Sequence, residues 1–329
     1  MKIHSALSLV STMLLLNIAQ AQKIIEGYIQ DEAGNPIAFA TIGIEDKNIG
    51  TYSFEDGSFS FIAFRFTPDD SLTIRHIAYE AIKIRIPEVG KKIILQEKET
   101  ALGDVVISPQ KTQLLGLFKK KSASSIAIDL PFNGAEVGTI IQLPENRSVI
   151  ERLMVNVSCK NLDSFRIRAS IYGTKNNKPA ELLYQTKAFH FEKKDGVVEL
   201  NLDKSFEVPG SVFLSFEWLV SKEIAQKISN LYQYKRVLTD SIKTHHKGSV
   251  NIYNNKKVEI VDSNGVMVNQ FKLNKKIETQ LESLARTTPK IRFSTTKKGG
   301  ATYYRSYSLG KWYPYQQSLI AGIEISQFE

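Results

Sequence analysis

In the stretch SFRIRASIYG, Phe165, Ile167, Ala169 and Ile171 alternate with Arg166, Arg168 and Ser170. A period of two puts the apolar residues on one face of an extended strand and the polar ones on the other. Similar runs recur along most of the chain, separated by clusters of Gly, Pro, Asn, Asp and Ser. Many short strands divided by turn signals, with little helical spacing between them, specify an all-β protein of packed antiparallel sheets. In this stretch the alternation also predicts a sheet with one face on a core and the other in water.

The first 21 residues read differently. MKIHSALSLVSTMLLLNIAQA begins with a basic residue, Lys2, has an apolar middle from Leu7 to Ile18, and ends in Ala19-Gln20-Ala21. This is the layout of a secretory signal peptide with a small-x-small cleavage site. Residues 1–21 are therefore expected to be removed, leaving a chain that starts at Gln22. The apolar run falls short of the roughly 20 residues of a membrane-spanning helix, and no later run reaches that length. The expected location is periplasmic, outer-membrane-associated or extracellular.

Export decides how the charge is read. Lys and Arg number 43 against 34 Asp and Glu, for a net charge of +9. In an exported protein that surplus serves solubility or an acidic envelope surface, and nucleic acid is not an expected partner. The one cysteine, Cys159, rules out an intramolecular disulfide. Its alternating context, LMVNVSCK, predicts a small buried core residue.

From Lys23 to Ser108 the pattern predicts about seven short strands and no helix. DEAGNP, Asp31 to Pro36, is a turn. In GTYSFEDGSFSF, Asp56-Gly57 reads as a two-residue hairpin loop. That register would set Phe54 opposite Phe59, Ser53 opposite Ser60 and Tyr52 opposite Phe61. Several residues here carry a resemblance: Gly27, Asp31, Gly34, Pro36, Ala40-Thr41, Gly50-Thr51, Asp56-Gly57, Phe59, Asp70, Leu72, Leu102 and Asp104 to Val106. In this order they resemble the carboxypeptidase regulatory-like domain, a transthyretin-like β-sandwich common in bacterial envelope proteins. Ala78 departs from that family's usual glycine. The resemblance implies an accessory module, not the zinc carboxypeptidase beside which such modules occur. That enzyme needs His-x-x-Glu, and the residues three positions after His76, His190, His245 and His246 are Tyr79, Lys193, Gly248 and Ser249.

Residues 109–125, with Lys119-Lys120-Lys121, read as a linker after a first domain at 22–108. Strands resume over 126–329 and predict a larger, jelly-roll-like β-sandwich. Between about Ser221 and Thr288 a helical or irregular insertion is expected, with one helix where Ile224, Ile228, Leu231 and Tyr232 take helical spacing. The layout, ending in Tyr303, Arg305, Ser306 and Gly310 to Trp312, is similar to a group of exported bacterial proteins and implies architecture only.

No sequence pattern specifies catalytic residues, a metal site or a cofactor. The leading expectation is a non-enzymatic exported binding or assembly module, with an envelope protein or polysaccharide as partner. An alternative is carbohydrate binding through YYRSYSLGKWYPY, with Tyr303, Arg305, Trp312, Tyr313 and Tyr315 as candidate contacts, since flat aromatic faces stack on sugars. Against it stands burial: Tyr303, Arg305 and Tyr307 would share a strand face and Trp312 would plug the sandwich end. A second alternative is a hydrolase in the second domain, which requires His190, His245 or His246 to line a cleft.

Overall fold

The computed structural model describes residues 23–45, 47–63, 66–98, 111–117, 122–144, 148–193, 195–208, 210–243, 249–253, 257–261, 267–297 and 300–327. The expected signal peptide, the Lys119–Lys121 run and His245-His246 lie outside the described residues. The described chain is mostly β and forms two compact units. The first comprises the described residues before position 104 together with Arg305–Trp312, and the second comprises the rest.

The first unit holds β1 (Lys23–Gln30), β2 (Thr41–Ile44), β3 (Ile49–Tyr52), β4 (Ser58–Ala63), β5 (Ser71–His76), β6 (Tyr79–Arg85) and β7 (Lys92–Ile94). They form two sheets, β4-β1-β7 and β3-β2-β5-β6. Strand β1 shows how alternation builds the sandwich: Ile25 and Ile29 are buried while Ile24 and Tyr28 are exposed. The buried residues join Ile42, Ile74, Phe59, Leu72 and Ile93 in one core. The Asp31 turn forms as expected. Its carboxylate accepts from the Asn35 backbone N–H at 2.7 Å and the Asn35 side-chain amide at 2.9 Å, and the side-chain amide leads in holding the Asp31 carboxyl below its usual range.

The turn at Asp56-Gly57 is real, but the expected register is not. Phe54 N–H donates to the Ser58 carbonyl at 2.8 Å and Gly57 N–H to the Phe54 carbonyl at 2.9 Å. Phe54 therefore closes on Ser58, not Phe59. Beyond the turn the strands separate: β3 pairs with β2, and β4 pairs with β1 in the other sheet. Tyr52 lies opposite Thr41 and Phe61 opposite Ile25. The segment is an arch between two sheets rather than a hairpin within one.

Gly43 and Gly50 face each other across β2 and β3. A Cβ at Gly43 would lie 2.5 Å from the Ser308 carbonyl oxygen, and one at Gly50 would meet the same oxygen. The paired glycines leave a bare strip of backbone on which the 305–312 segment rests. The Asn48 side-chain oxygen accepts from Lys311 N–H at 3.0 Å, and the Arg305 guanidinium sits 4.6 Å above the centre of the Trp312 ring.

In the second unit the strands run β8 (Lys111–Gly116), β9 (Ser124–Ala127), β10 (Glu136–Gln142), β11 (Ser148–Lys160), β12 (Ser164–Lys175), β13 (Lys178–Gln185), β14 (Phe189–Glu192), β15 (Gly196–Val208) and β16 (Ser211–Leu219). An insertion follows, with helix α1 (Lys222–Lys243), β17 (Ser249–Tyr253), β18 (Lys257–Val261), β19 (Met267–Lys272) and helix α2 (Lys275–Thr287). The sandwich resumes with β20 (Lys290–Thr296), β21 (Thr302–Arg305), β22 (Tyr313–Tyr315), β23 (Ser318–Leu319) and β24 (Ala321–Gln327). One sheet has the order β13-β12-β16-β10-β21-β22, with β14 also on β12. The other runs β23-β20-β11-β24-β8, with β15 on β11 and β9 on β20. Phe216 stacks on Phe293 with centroids 6.5 Å apart, so the two sheets meet face to face.

Three expectations change here. The segment 109–125, read as a linker, contains β8, which pairs with β24, and β9 begins within it at Ser124, two residues before the expected start of the second domain, and pairs with β20. Strand β8 lies at a sheet edge with Leu114 exposed, so its alternation is weak. The insertion holds two helices and a three-stranded sheet rather than one helix. Helix α1 forms where expected and buries Ile228 and Leu231. Helix α2 carries a narrow stripe of Ile277, Leu281 and Leu284 that a polar background hides. It is capped by Asn274, which accepts the Ile277 N–H at 3.0 Å, and Leu281 packs with Val258, Ile260 and Leu273 in a small separate core. Finally, the face expected in water at 164–173 is half-buried at Arg166 and buried from Arg168 onward. Arg168 and Ser170 are each 3% exposed, and opposite them on β16 lie Glu217 and Ser215.

Candidate binding surface on the second unit

The aromatic segment at 303–315 is divided by the fold. Strands β21 and β22 pair with Thr302 opposite Tyr315, Tyr303 opposite Pro314 and Tyr304 opposite Tyr313. Alternation therefore puts Tyr304, Tyr313 and Tyr315 on one face of the hairpin and Tyr303 on the other. The Tyr304 ring lies 5.9 Å from that of Tyr313 and 6.2 Å, edge-on, from that of Tyr315. Tyr313 is 39% exposed, and Tyr304 and Tyr315 are half-buried.

Tyr303, half-buried, packs on the other face of the sheet. Its ring stands edge-on to Phe213 at 6.0 Å, and its hydroxyl donates to the Asn177 carbonyl at 2.8 Å. Arg305 is buried beside Trp312, and both belong to the first unit. Of the five candidate contacts, the fold thus joins Tyr313 and Tyr315, withdraws Tyr303 into packing, and pairs Arg305 with Trp312 elsewhere. Sequence reasoning passed over Tyr304, the ring that joins Tyr313 to Tyr315. The signal was available, because Tyr304 is two residues from Thr302 and out of phase with Tyr303 and Arg305. Strand β22 is the last in its sheet, and Pro314 has no N–H to offer a further strand. This edge therefore presents rings rather than a backbone ladder.

Other chemical groups are placed as follows. His76 accepts the Ala78 N–H at 3.2 Å and packs on Tyr79. His190 is exposed, with Nε2 3.5 Å from the Glu192 carboxylate. Among the described residues no three His, Cys, Asp or Glu side chains come together. Cys159, expected in the core, is half-buried. Its N–H donates to Asp195 at 2.7 Å, and it lines a polar cavity.

A second group missed from sequence lies within the sheet. The Arg168 Nε and Nη2 atoms donate to the Glu217 carboxylate at 2.9 and 2.6 Å. Across the next strand Glu136 accepts from Ser215 Oγ at 2.6 Å and from the Tyr172 hydroxyl at 3.3 Å. Both carboxylates and the guanidinium are buried. A buried charge is tolerated only where hydrogen-bonded partners replace water; this network supplies them to Glu217 Oε2 and Glu136 Oε2, while Glu217 Oε1 accepts no hydrogen bond among the described residues.

Comparison with known proteins supplies the domain family. The family model of the CarboxypepD_reg-like domain matches residues 25–107. The first unit is a CarboxypepD_reg-like β-sandwich. This is the regulatory-like module and not a catalytic domain. The match covers a quarter of the chain and concerns residues 25–107 alone. A comparison with curated proteins found no match. Among solved structures, the cysteine protease and lectin-like domains of Cwp84, a surface layer associated protein of Clostridium difficile, align over 94% of this chain at 8% identity and a TM-score of 0.36. The clostridial cysteine protease Cwp84 after propeptide cleavage aligns over 93% at 7% identity and a TM-score of 0.35. The chain spans 60% of the first of these structures and 71% of the second. Likeness at that level carries no inference about this chain.

Proposed function

We propose that this chain is a non-enzymatic binding module exported to the bacterial cell envelope, with the Tyr304–Tyr313–Tyr315 face as the contact surface of its second unit. The carrying observation is the placement of three aromatic rings on one face of an edge hairpin, Tyr313 exposed among them. A regulatory-like first unit supports the non-catalytic reading, and the signal-peptide pattern of residues 1–21 supports export. A polysaccharide is the partner class that suits the surface. Tyrosine rings offer flat apolar faces for sugar C–H groups and hydroxyls for their oxygens.

Affinity electrophoresis of residues 22–329 against envelope polysaccharides, followed by a glycan array, tests this. Tyr313→Ala is expected to weaken binding about tenfold, equivalent to ~1.4 kcal/mol. Trp312→Ala should leave affinity close to that of the parent, because its ring packs on Arg305. Retention of no glycan, or a Tyr313→Ala variant that binds like the parent, would overturn the proposal.

A further inference from the structure

The register of β11 and β20 sets Lys160 directly opposite Lys290 and Ser158 directly opposite Arg292. Residues two apart on a strand share a face, so these four side chains rise from the same side of the sheet. Cross-strand partners hold their Cβ atoms about 4.5–5.5 Å apart, and like charges so placed repel. Helix α1 contributes Lys235, whose charge acts on Lys290 together with those of Arg292 and Lys160. Among the described residues, none of these four cations makes an ion pair or hydrogen bond. Two carboxylates lie nearby and make other hydrogen bonds, and the charge of Asp129 partly offsets the effect of the cations on Lys290. Asp195 accepts the Cys159 N–H, and Asp129 accepts the Tyr232 hydroxyl. Burial, reinforced by the neighbouring cations, holds the Lys290 ammonium below its usual range. Lys160, Lys290 and Arg292, with Ser158 and Asp195, line a cavity of about 310 Å³.

We infer that this cavity is a binding site for a phosphate monoester. A guanidinium presents a fork of donors that matches a tetrahedral oxyanion, and the two ammonium groups add point charges. The Ser158 hydroxyl is a further donor. With Asp195 the lining carries three cations and one carboxylate; a monocarboxylate ligand would leave one positive charge in surplus, whereas a phosphate dianion leaves none and relieves the repulsion between Lys160 and Lys290. The volume leaves room for a small organic group beyond the phosphate. This site lies on the other sheet from the tyrosine face and does not depend on the glycan proposal.

Calorimetric titration of residues 22–329 with inorganic phosphate, methyl phosphate and dimethyl phosphate tests the inference and separates the sources. Saturable binding of the first two is expected, with the monoanionic diester weaker. Lys290→Gln and Arg292→Gln should each weaken methyl phosphate binding about tenfold. Lys290→Arg should retain it, and so should Lys227→Gln, which alters a lysine already paired with Glu223 on α1. Removing a like-charge contact should not lower the melting temperature, so a folded Lys290→Gln protein is expected. Absence of saturable binding, equal affinity for monoester and diester, or unchanged affinity in both glutamine variants would overturn it.

Discussion

Arg168→Met should lower the unfolding free energy by about 3–5 kcal/mol, the range seen when one partner of a buried ion pair is removed. Methionine fills much of the same volume, so little of this loss arises from a cavity. What remains is the Glu217 carboxylate, 2% exposed, without the guanidinium that donates two hydrogen bonds to it. Urea denaturation of the full chain measures the effect as a shift in midpoint at unchanged slope. The double variant Arg168→Met, Glu217→Leu should regain most of the stability, since replacing a whole buried pair by apolar groups is often near neutral. A single variant that unfolds at the parental midpoint would show that Arg168 is not needed to hold that carboxylate in the sheet.

Gly57→Val should destabilise the first unit by roughly 3 kcal/mol or more, through two effects that act together. The residue has φ of +75°, which a β-branched side chain strongly resists. A Cβ there would also lie 2.5 Å from the Ile29 carbonyl oxygen and 3.1 Å from Pro36 Cβ. Asp56→Ala should cost less, about 1 kcal/mol. It removes the carboxylate that accepts from Ser58 N–H at 3.0 Å and Ser58 Oγ at 2.5 Å but keeps the turn conformation. Thermal unfolding followed by hydrogen exchange in β1 and β4 distinguishes the two. Loss of protection in Gly57→Val and near-parental protection in Asp56→Ala are expected. The reverse order would show that the side-chain bonds, and not the positive φ, hold the arch.

The two sites also show where reading by pattern stops. At Asp56-Gly57 the turn was legible, because Gly tolerates the backbone the turn needs. The pairing was not. Alternating aromatics look the same whether two strands face each other or lead into separate sheets. The choice rests on β1 and β2, which take β4 and β3 as partners; β2 is next to β3 in the chain, but β1 is distant from β4, and that pairing draws β4 into the other sheet. The same limit hid the aromatic face. Tyr313 and Tyr315 were candidates by composition, but only the β21–β22 register shows that Tyr304 joins them and that Tyr303 turns away.

Period-two alternation and turn residues determined that the chain is mostly β, helical spacing placed α1, and the ordered motifs of residues 23–108 carried the resemblance to the regulatory-like domain. Those signals are local and survive in a linear string. Tertiary structure alone decided that Arg168 lies in a buried face, that β8 is a strand, that 305–312 rests on Gly43 and Gly50, and that Lys160 lies opposite Lys290. A polar residue at period two marks only the opposite side of a strand. Whether that side meets water, a carboxylate or another lysine depends on which strand lies beside it and what covers the sheet.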